Sequence, residues 1–367
     1  MTDSPFHRFQ SMKILAHADR LDAITRGEMP YPLDWHLYPS NHCDHSCHFC
    51  LFIQNGEQQH FHVKLPRPVL LRAVADADRT GAVLIHFSGG GEPLLNRHTL
   101  EAMRLAQVLA AERPQGIRNQ LKVALSTNGT HLTPEVAQEV DYIRVSLNAG
   151  TPEQHRTTNH AGQPAHPGDW ERILENIKRS APHRRGDIGL AFVVEHENYR
   201  DIPAFCRVAA ELGVDFVHIR PGFYYDPELD AATRAVMEES ARLCAAARWE
   251  LRDHPLKIFS INEKFEGYWT PRTYHACRAV WTGICLRATG DFAVCQDRTD
   301  LTFGHEPSYK DGASFEDVWT SAEHQAVVAR IHDGEGGELG RCPRCVWNFR
   351  NVALSALEHD DLRISLV

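Results

Sequence analysis

The sequence has no run of eighteen predominantly apolar residues, so it offers no helix able to span a bilayer. Its opening stretch, MTDSPFHRFQ, has an early Asp and no apolar core, so it does not read as a secretory signal. Positive charge is not in excess: 39 Lys and Arg stand against 48 Asp and Glu, a formal net charge of −9. That balance argues against a nucleic-acid partner, because phosphate recognition needs clustered Lys and Arg. The densest basic stretch, Lys178-Arg179 to Arg184-Arg185, reads as a solvated loop. There is no low-complexity tract and no internal repeat. HExxH, P-loop and Rossmann motifs are missing as well. These absences point to a cytoplasmic protein with no membrane partner, in which thiols stay reduced and disulfides are not expected.

What the chain does have is cysteine, ten in 367 residues, and a regular alternation of short apolar runs with amphipathic segments. Candidate strands are Trp35–Tyr38, Ala82–Phe87, Leu121–Ser126, Tyr142–Leu147, Ile188–Val194 and Val214–Ile219. Helical patterns fall at Val69–Arg79, Leu100–Ala111, Pro134–Glu139, Asp169–Arg179 and Asp201–Leu212. Such βα alternation predicts an α/β fold with a parallel sheet, function gathering at the C-terminal strand ends. Polar and glycine-rich pieces follow the strands at 41–50, 88–93, 126–129, 146–150 and 220–222, so five loops converge on one edge. After about residue 260 the pattern changes to a hairpin at Ile284–Asp297, turning at Thr289-Gly290, and a helix at Phe315–Ile331. The expected division is an N-terminal extension at 1–30, a catalytic domain at 31–260 and a cysteine-rich domain at 261–367.

Cys43, Cys47 and Cys50 form a C-x3-C-x2-C pattern just after the first strand. Three thiolates this close suit one metal centre, either zinc or an iron–sulfur cluster. A closed zinc site would need a fourth ligand, which His45 or His48 could supply. At the end of the next strand stands Phe87-Ser-Gly-Gly-Gly-Glu-Pro93. Together the two segments resemble the radical S-adenosylmethionine (SAM) superfamily, over about residues 34–225.

The resemblance implies a partial (β/α)6 TIM-like barrel, with Cys43, Cys47 and Cys50 on a [4Fe-4S] cluster whose open iron is chelated by SAM. One electron then cleaves SAM to methionine and a 5′-deoxyadenosyl radical. Gly90, Gly91 and Glu92 would lie along the methionine moiety, and Phe49 near the adenine. Glycine allows close backbone approach, and a carboxylate accepts hydrogen bonds from an ammonium group. Ser126, Asn128, Ser146 and Asn148 resemble positions that contact the ribose and carboxylate of SAM, although these residue types also form turns. Arg220 would bind a carboxylate or the substrate. The electron donor implied is of flavodoxin or ferredoxin type.

Cys277, Cys295, Cys342 and Cys345 form a second set, again open to zinc or iron–sulfur ligation. Their spacing resembles the twitch domain, a shortened relative of the SPASM extension: a small α+β unit of hairpin and helix holding one auxiliary [4Fe-4S] cluster. The cofactors implied are thus two [4Fe-4S] clusters and SAM. Of the remaining cysteines, Cys206 and Cys244 sit at core spacing within helical patterns. Cys285 lies on the hairpin; with a two-residue turn it faces away from Cys295, and a three-residue turn reverses this. It is either a core residue or a hydrogen-atom donor to a substrate radical.

Twitch enzymes of this kind include epimerases and dehydrogenases of sugars and aminoglycosides, so the resemblance implies a carbohydrate-like small-molecule substrate. It implies epimerisation at a carbinol carbon in natural-product (antibiotic) biosynthesis, with Cys285 catalytic. Oxidation of an alcohol to a ketone, peptide modification, and non-catalytic metal binding or electron transfer are the alternatives. Glu195, His196, His218 and Tyr224 are further residues that would face a pocket.

Overall fold

In Trp35-His36-Leu37-Tyr38 successive side chains leave opposite faces of a strand, apolar to one side and polar-tipped to the other. That alternation recurs in most strands and decides which face meets the helices. The structure is a computed structural model describing residues 11–54, 62–114, 116, 120–160, 168–222, 230–260, 274–332, 338–342, 345 and 347–356.

Strands β1 (Asp34–Leu37), β2 (Leu84–Phe87), β3 (Lys122–Thr127), β4 (Tyr142–Ser146), β5 (Asp187–Val194) and β6 (Phe216–Pro221) are parallel neighbours in chain order. β7 (Lys257–Ser260) continues the parallel run beyond β6. On the opposite edge β8 (Gly283–Leu286) pairs parallel with β1, followed antiparallel by β9 (Phe292–Ala293) and β10 (Thr302–Phe303). The result is the partial-barrel α/β fold, extended at both edges.

The helices are α1 (Ala18–Thr25), α2 (Leu51–Gln54), α3 (Arg67–Arg79), α4 (Thr99–Glu112), α5 (Pro134–Ala137), α6 (Pro152–Asn159), α7 (Asp169–Ser180), α8 (Ile202–Glu211), α9 (Ala231–Glu250), α10 (Phe315–Trp319), α11 (Ala322–His332) and α12 (Asn348–Ala356). Their starts are locally encoded. Thr133, Thr151, Asp230 and Ser314 cap α5, α6, α9 and α10 by accepting from backbone N–H groups. α7 has Asp169 and Glu171 in its first turn and Lys178 and Arg179 in its last, matching the helix dipole, and buries Trp170, Ile173 and Ile177.

The outward strand faces and the helices share one core, in which Trp35 is fully buried against the rings of Phe315 (4.4 Å between centroids) and Phe292 (5.9 Å). Those contacts and the β1–β8 ladder carry the sheet across the boundary expected near residue 260, and residues 261–273 at that boundary lie outside the described ones.

The six expected strands are present with small shifts at their ends, and Cys206 and Cys244 are buried in core helices as read. Three expectations change. The helix expected at Phe315–Ile331 breaks at Thr320-Ser321, because the Ser321 Oγ caps a fresh helix by accepting from the His324 N–H at 3.1 Å. The basic stretch read as a loop is partly helical, since Lys178 and Arg179 end α7. The hairpin turn is wider than two residues. Arg287 donates its N–H to the Asp291 carbonyl, Gly290 (φ +94°) takes the left-handed position, and Cys285 pairs with Ala293.

The inward faces meet a different constraint. Gly189 sits between Tyr142 and Phe216, whose rings stack at 5.2 Å and 17°. A methyl group at Gly189 would overlap the Phe216 ring. Gly189→Ala is expected to cost about 1–3 kcal/mol of stability through this overpacking. Thermal or urea unfolding measures it, and a variant as stable as the wild type would show that Phe216 can move aside.

Candidate active site

Parallel strands deliver their following loops to one edge, and here those loops are tied together by two carboxylates. Glu92 follows β2 and is 2% exposed. Its Oε1 accepts from the Leu94 N–H at 3.0 Å and from Thr127 Oγ1 at 2.8 Å, and its Oε2 accepts from the Asn128 N–H at 2.8 Å. The loop after β2 is thereby locked to the end of β3. Burial raises the Glu92 carboxyl to about 7, against the opposing pull of those same hydrogen bonds. Asp44, between the first two cysteines, accepts from Asn128 Nδ2 at 2.5 Å and Thr130 Oγ1 at 2.6 Å, with His131 Nε2 at 3.2 Å. Burial works against the Asp44 charge, yet these donors hold its carboxyl below the usual range. Glu92 and Asp44 thus join the cysteine loop, the Gly-Gly-Gly-Glu-Pro loop and the end of β3.

The glycines divide by role. The Glu92 N–H donates to the His42 carbonyl at 2.8 Å, and a Cβ on Gly91 would overlap that carbonyl. Gly91 therefore lets two protein loops touch. Gly90 is the roomier one, with Phe52 3.5 Å from where a Cβ would stand.

Cys43, Cys47 and Cys50 are half-buried; burial raises the Cys43 and Cys47 thiols, and charge repulsion from Cys50 adds to both, with Cys43 adding further to Cys47. Three thiols on one loop, close enough for Cys50 to act on both Cys43 and Cys47, are a donor set that fits an iron–sulfur cluster. Asn128 Nδ2 reaches Cys43 Sγ at 3.9 Å, and Cys47 Sγ donates to Asn159 Oδ1 at 3.8 Å. Phe49 is half-buried with its ring edge on His48.

The other expected SAM contacts fall into two groups. Ser126 and Ser146 point inward, half-buried, on β3 and β4, and Arg220 does so on β6. Asn128 and Asn148 are engaged by the protein itself. Asn148 is fully buried at φ +58°, its Oδ1 accepting from the Val193 N–H at 3.0 Å and its Nδ2 donating to Asn159 Oδ1 at 3.3 Å. It is a bracket between β4, β5 and α6.

The inward face also carries His36, His86 and Arg144, which were not singled out from the sequence. The His36 and His86 rings lie 5.1 Å apart, His86 Nε2 is 2.8 Å from Ser126 Oγ, and Gln296 Nε2 is 2.9 Å from His36 Nε2. Burial holds both histidines neutral, His36 at about 4. Period-two alternation of polar residues (His36, His86, Ser126, Arg144, Ser146, His218, Arg220) was the available signal. Glu195 is half-buried beside Gly222, and burial lifts its carboxyl to about 8. His196 Nε2 lies 3.1 Å from Thr233 Oγ1, while Tyr224 is outside the described residues.

Cys277, Cys295, Cys342 and Cys345 also come together. Burial raises the Cys277 thiol to about 12 and pushes the Cys295 thiol well above its ordinary value, with charge repulsion from Cys345 adding to both. Asn351 Nδ2 donates to Cys277 Sγ (3.3 Å) and Cys345 Sγ (3.7 Å), and Arg298 Nη1 to Cys342 Sγ (3.8 Å). Cys285 stands apart from them, fully buried in a small cluster with Tyr38, Ala293 and Phe52. Tyr38 donates its hydroxyl to Cys285 Sγ at 3.5 Å. The wider turn gives Cys285 and Cys295 the same strand parity, so their separation comes from the ladder ending at Ala293.

A radical SAM superfamily model matches residues 37–219. The chain is 27% identical to the AdoMet-dependent heme synthase of Methanosarcina barkeri, over 70% of this chain and 72% of that protein. It is 27% identical to a Pyrococcus furiosus tungsten-containing aldehyde ferredoxin oxidoreductase cofactor-modifying protein, over 49% of each. It is 28% identical to a probable GTP 3′,8-cyclase of Saccharolobus islandicus, over 48% of this chain and 53% of that one. The chain thus spans about half the length of the latter two. Among solved structures, Streptococcus suis SuiB bound to S-adenosylmethionine superposes with a TM-score of 0.59 at 16% identity, covering 88% of this chain and 71% of SuiB. Native anSMEcpe with bound AdoMet gives 0.58 at 14% identity, covering 87% and 88%. The protein belongs to the radical SAM superfamily and is an enzyme of that class, which implies a [4Fe-4S] cluster and SAM. No described helix is long and apolar enough to cross a membrane.

The buried Glu92 carboxyl has a pH consequence. Between the ordinary Glu value near 4.3 and about 7, the folded chain keeps a proton that the unfolded chain releases. Stability therefore falls as pH rises across that window and levels off above it, by roughly 1–3 kcal/mol. Glu92→Gln is expected to be less stable at low pH, because an amide cannot accept from all three donors, and to lose this slope. Urea unfolding of both proteins from pH 5 to 8 checks it; parallel curves would show that Glu92 stays ionised throughout.

Proposed function

We propose that this enzyme epimerises a carbinol carbon of a polar, carbohydrate-like small molecule held inside the barrel, with Cys285 returning the hydrogen atom. The observation that carries the reading is the Cys285 thiol: inward on β8, next to His36 on β1, hydrogen-bonded by Tyr38, and separate from the four-thiol set. Phe52 packs on both this cluster and Gly90, which relates the thiol to the loop after β2.

Cys43, Cys47 and Cys50 would hold the catalytic cluster, and three neighbouring thiols on one loop fit it. When bound, the cluster and SAM supply a radical able to take a hydrogen atom from an unactivated C–H bond. Gly90 leaves room for SAM, while Phe49, Ser126 and Ser146 line the same edge. Gly91, Glu92, Asn128 and Asn148 position these loops. His36, His86, Arg144, His218 and Arg220 would bind and orient the substrate's hydroxyls. Cys285 gives its S–H hydrogen atom to the substrate radical from the opposite side, inverting the carbon, and the thiol is restored by one electron from a flavodoxin- or ferredoxin-type donor and one proton from solvent. Cys277, Cys295, Cys342 and Cys345 would hold an auxiliary cluster, with Asn351 and Arg298 donating to its sulfurs.

Anaerobic protein with SAM and dithionite is expected to form 5′-deoxyadenosine. Replacing Cys43, Cys47 and Cys50 by Ala should abolish it while the iron held by the second set remains. Absence of 5′-deoxyadenosine from the iron-replete wild type would overturn the assignment of SAM cleavage to these residues. In Cys285→Ala, 5′-deoxyadenosine should still form while inverted product is lost. Epimerisation in D2O should place deuterium at the inverted carbon only when Cys285 is present. Unchanged epimerisation by Cys285→Ala would remove this thiol from the reaction.

A further inference from the structure

Behind the cysteine loop lies a cluster that the proposed reaction does not use. His45 follows Cys43 and Asp44, His155 is on α6, and His160 follows the end of that helix. Their relative exposures are 5%, 2% and 5%. Each ring offers one nitrogen, and the three nitrogens lie within 4.8 Å of one another. The rings are splayed, with centroids 4.6–5.5 Å apart and interplanar angles of 58–78°. Both ring nitrogens of His45 and the Nε2 of His155 have no hydrogen-bond partner among the described residues. Buried polar atoms left this way are costly, so a convergent set of them points to a missing ligand. Asp169, 3% exposed, stands 3.2 Å from His160 Nε2 and is also paired with Arg172. A carboxylate paired with one ring nitrogen is the usual means of fixing a histidine whose other nitrogen binds a metal.

We propose that His45, His155 and His160 bind one zinc ion, with Asp169 orienting His160. Three imidazoles with no thiolate suit zinc, which takes such nitrogens at about 2.0–2.1 Å and leaves a fourth position for water. The ion would clamp the cysteine loop to α6, along the seam where the Ser46 N–H already donates to the Asn159 carbonyl at 2.9 Å. Its role is to hold the loop's shape, separate from the iron ligands and independent of which substrate is turned over.

The test uses iron-replete holoenzyme exposed to one equivalent of zinc and then desalted, with zinc and iron both measured. The wild type should retain one zinc per chain, with nitrogen or oxygen neighbours at about 2.0 Å by zinc-edge X-ray absorption and none at the about 2.3 Å of a thiolate. His155→Ala should fall to background zinc with its iron content unchanged. Failure of the wild type to retain zinc overturns the proposal, as does zinc with sulfur neighbours, or equal retention by His155→Ala. The wild-type spectrum decides the matter even if His155→Ala folds poorly. Because metal content and coordination are read without turnover, loss of this site and loss of the proposed reaction are separate results.

Discussion

The arrangement at the strand ends depends on one buried carboxylate. Glu92 accepts from Leu94, Thr127 and Asn128, and through Asn128 it is coupled to Asp44 in the cysteine loop. A carboxyl group with 2% exposure is costly unless its oxygens are satisfied. Three donors on Glu92, and more on Asp44, are therefore arranged by the folded chain. The cost of burial is what makes the geometry specific, since any loop conformation that withdraws a donor leaves a buried oxygen unpaired. Three thiols on a short loop need such an external frame, because the loop is mostly irregular backbone.

The same sheet presents two thiol sets to different surroundings. Cys43, Cys47 and Cys50 lie at the C-terminal edge of the parallel strands, among the loops. Cys277, Cys295, Cys342 and Cys345 gather where β8 and β9 join β1, packed against the main core. The β1–β8 ladder makes Cys285 the lateral neighbour of His36, so the thiol belongs to the interior of the barrel although the chain reaches it late. Trp35, buried on the other face of β1 against Phe292 and Phe315, fixes that docking by apolar contact.

Much of the fold was legible. The six central strands could be read because each buries an apolar face under a helix, and the following helices because their apolar residues recur at helical spacing. β7 was missed: Lys257–Ser260 is too short to show a period. The break at Thr320-Ser321 was missed because both halves of the pattern are apolar in phase and only the Ser321 cap separates them. The hairpin register turned on whether Arg287 and Asp291 pair, which composition does not reveal. In the site, the cysteines, Gly90 and Glu92 were legible as local motifs. Asn148 was read as a ligand contact because its turn chemistry resembles one, yet its amide is used to join β4, β5 and α6.

By itself the sequence determined the chemistry available: cysteine spacing, a glycine-rich loop ending in Glu92, and parallel strands that send every loop to one edge. These are short-range properties, carried by residues a few positions apart. Only the tertiary structure decided which distant side chains meet. It set His36 beside His86 and Cys285, brought His45 to His155 and His160, and assigned Gly91 to the contact between two loops. Such meetings are fixed by register between strands and by packing around buried groups, and both are sums over the whole chain rather than properties of any one segment.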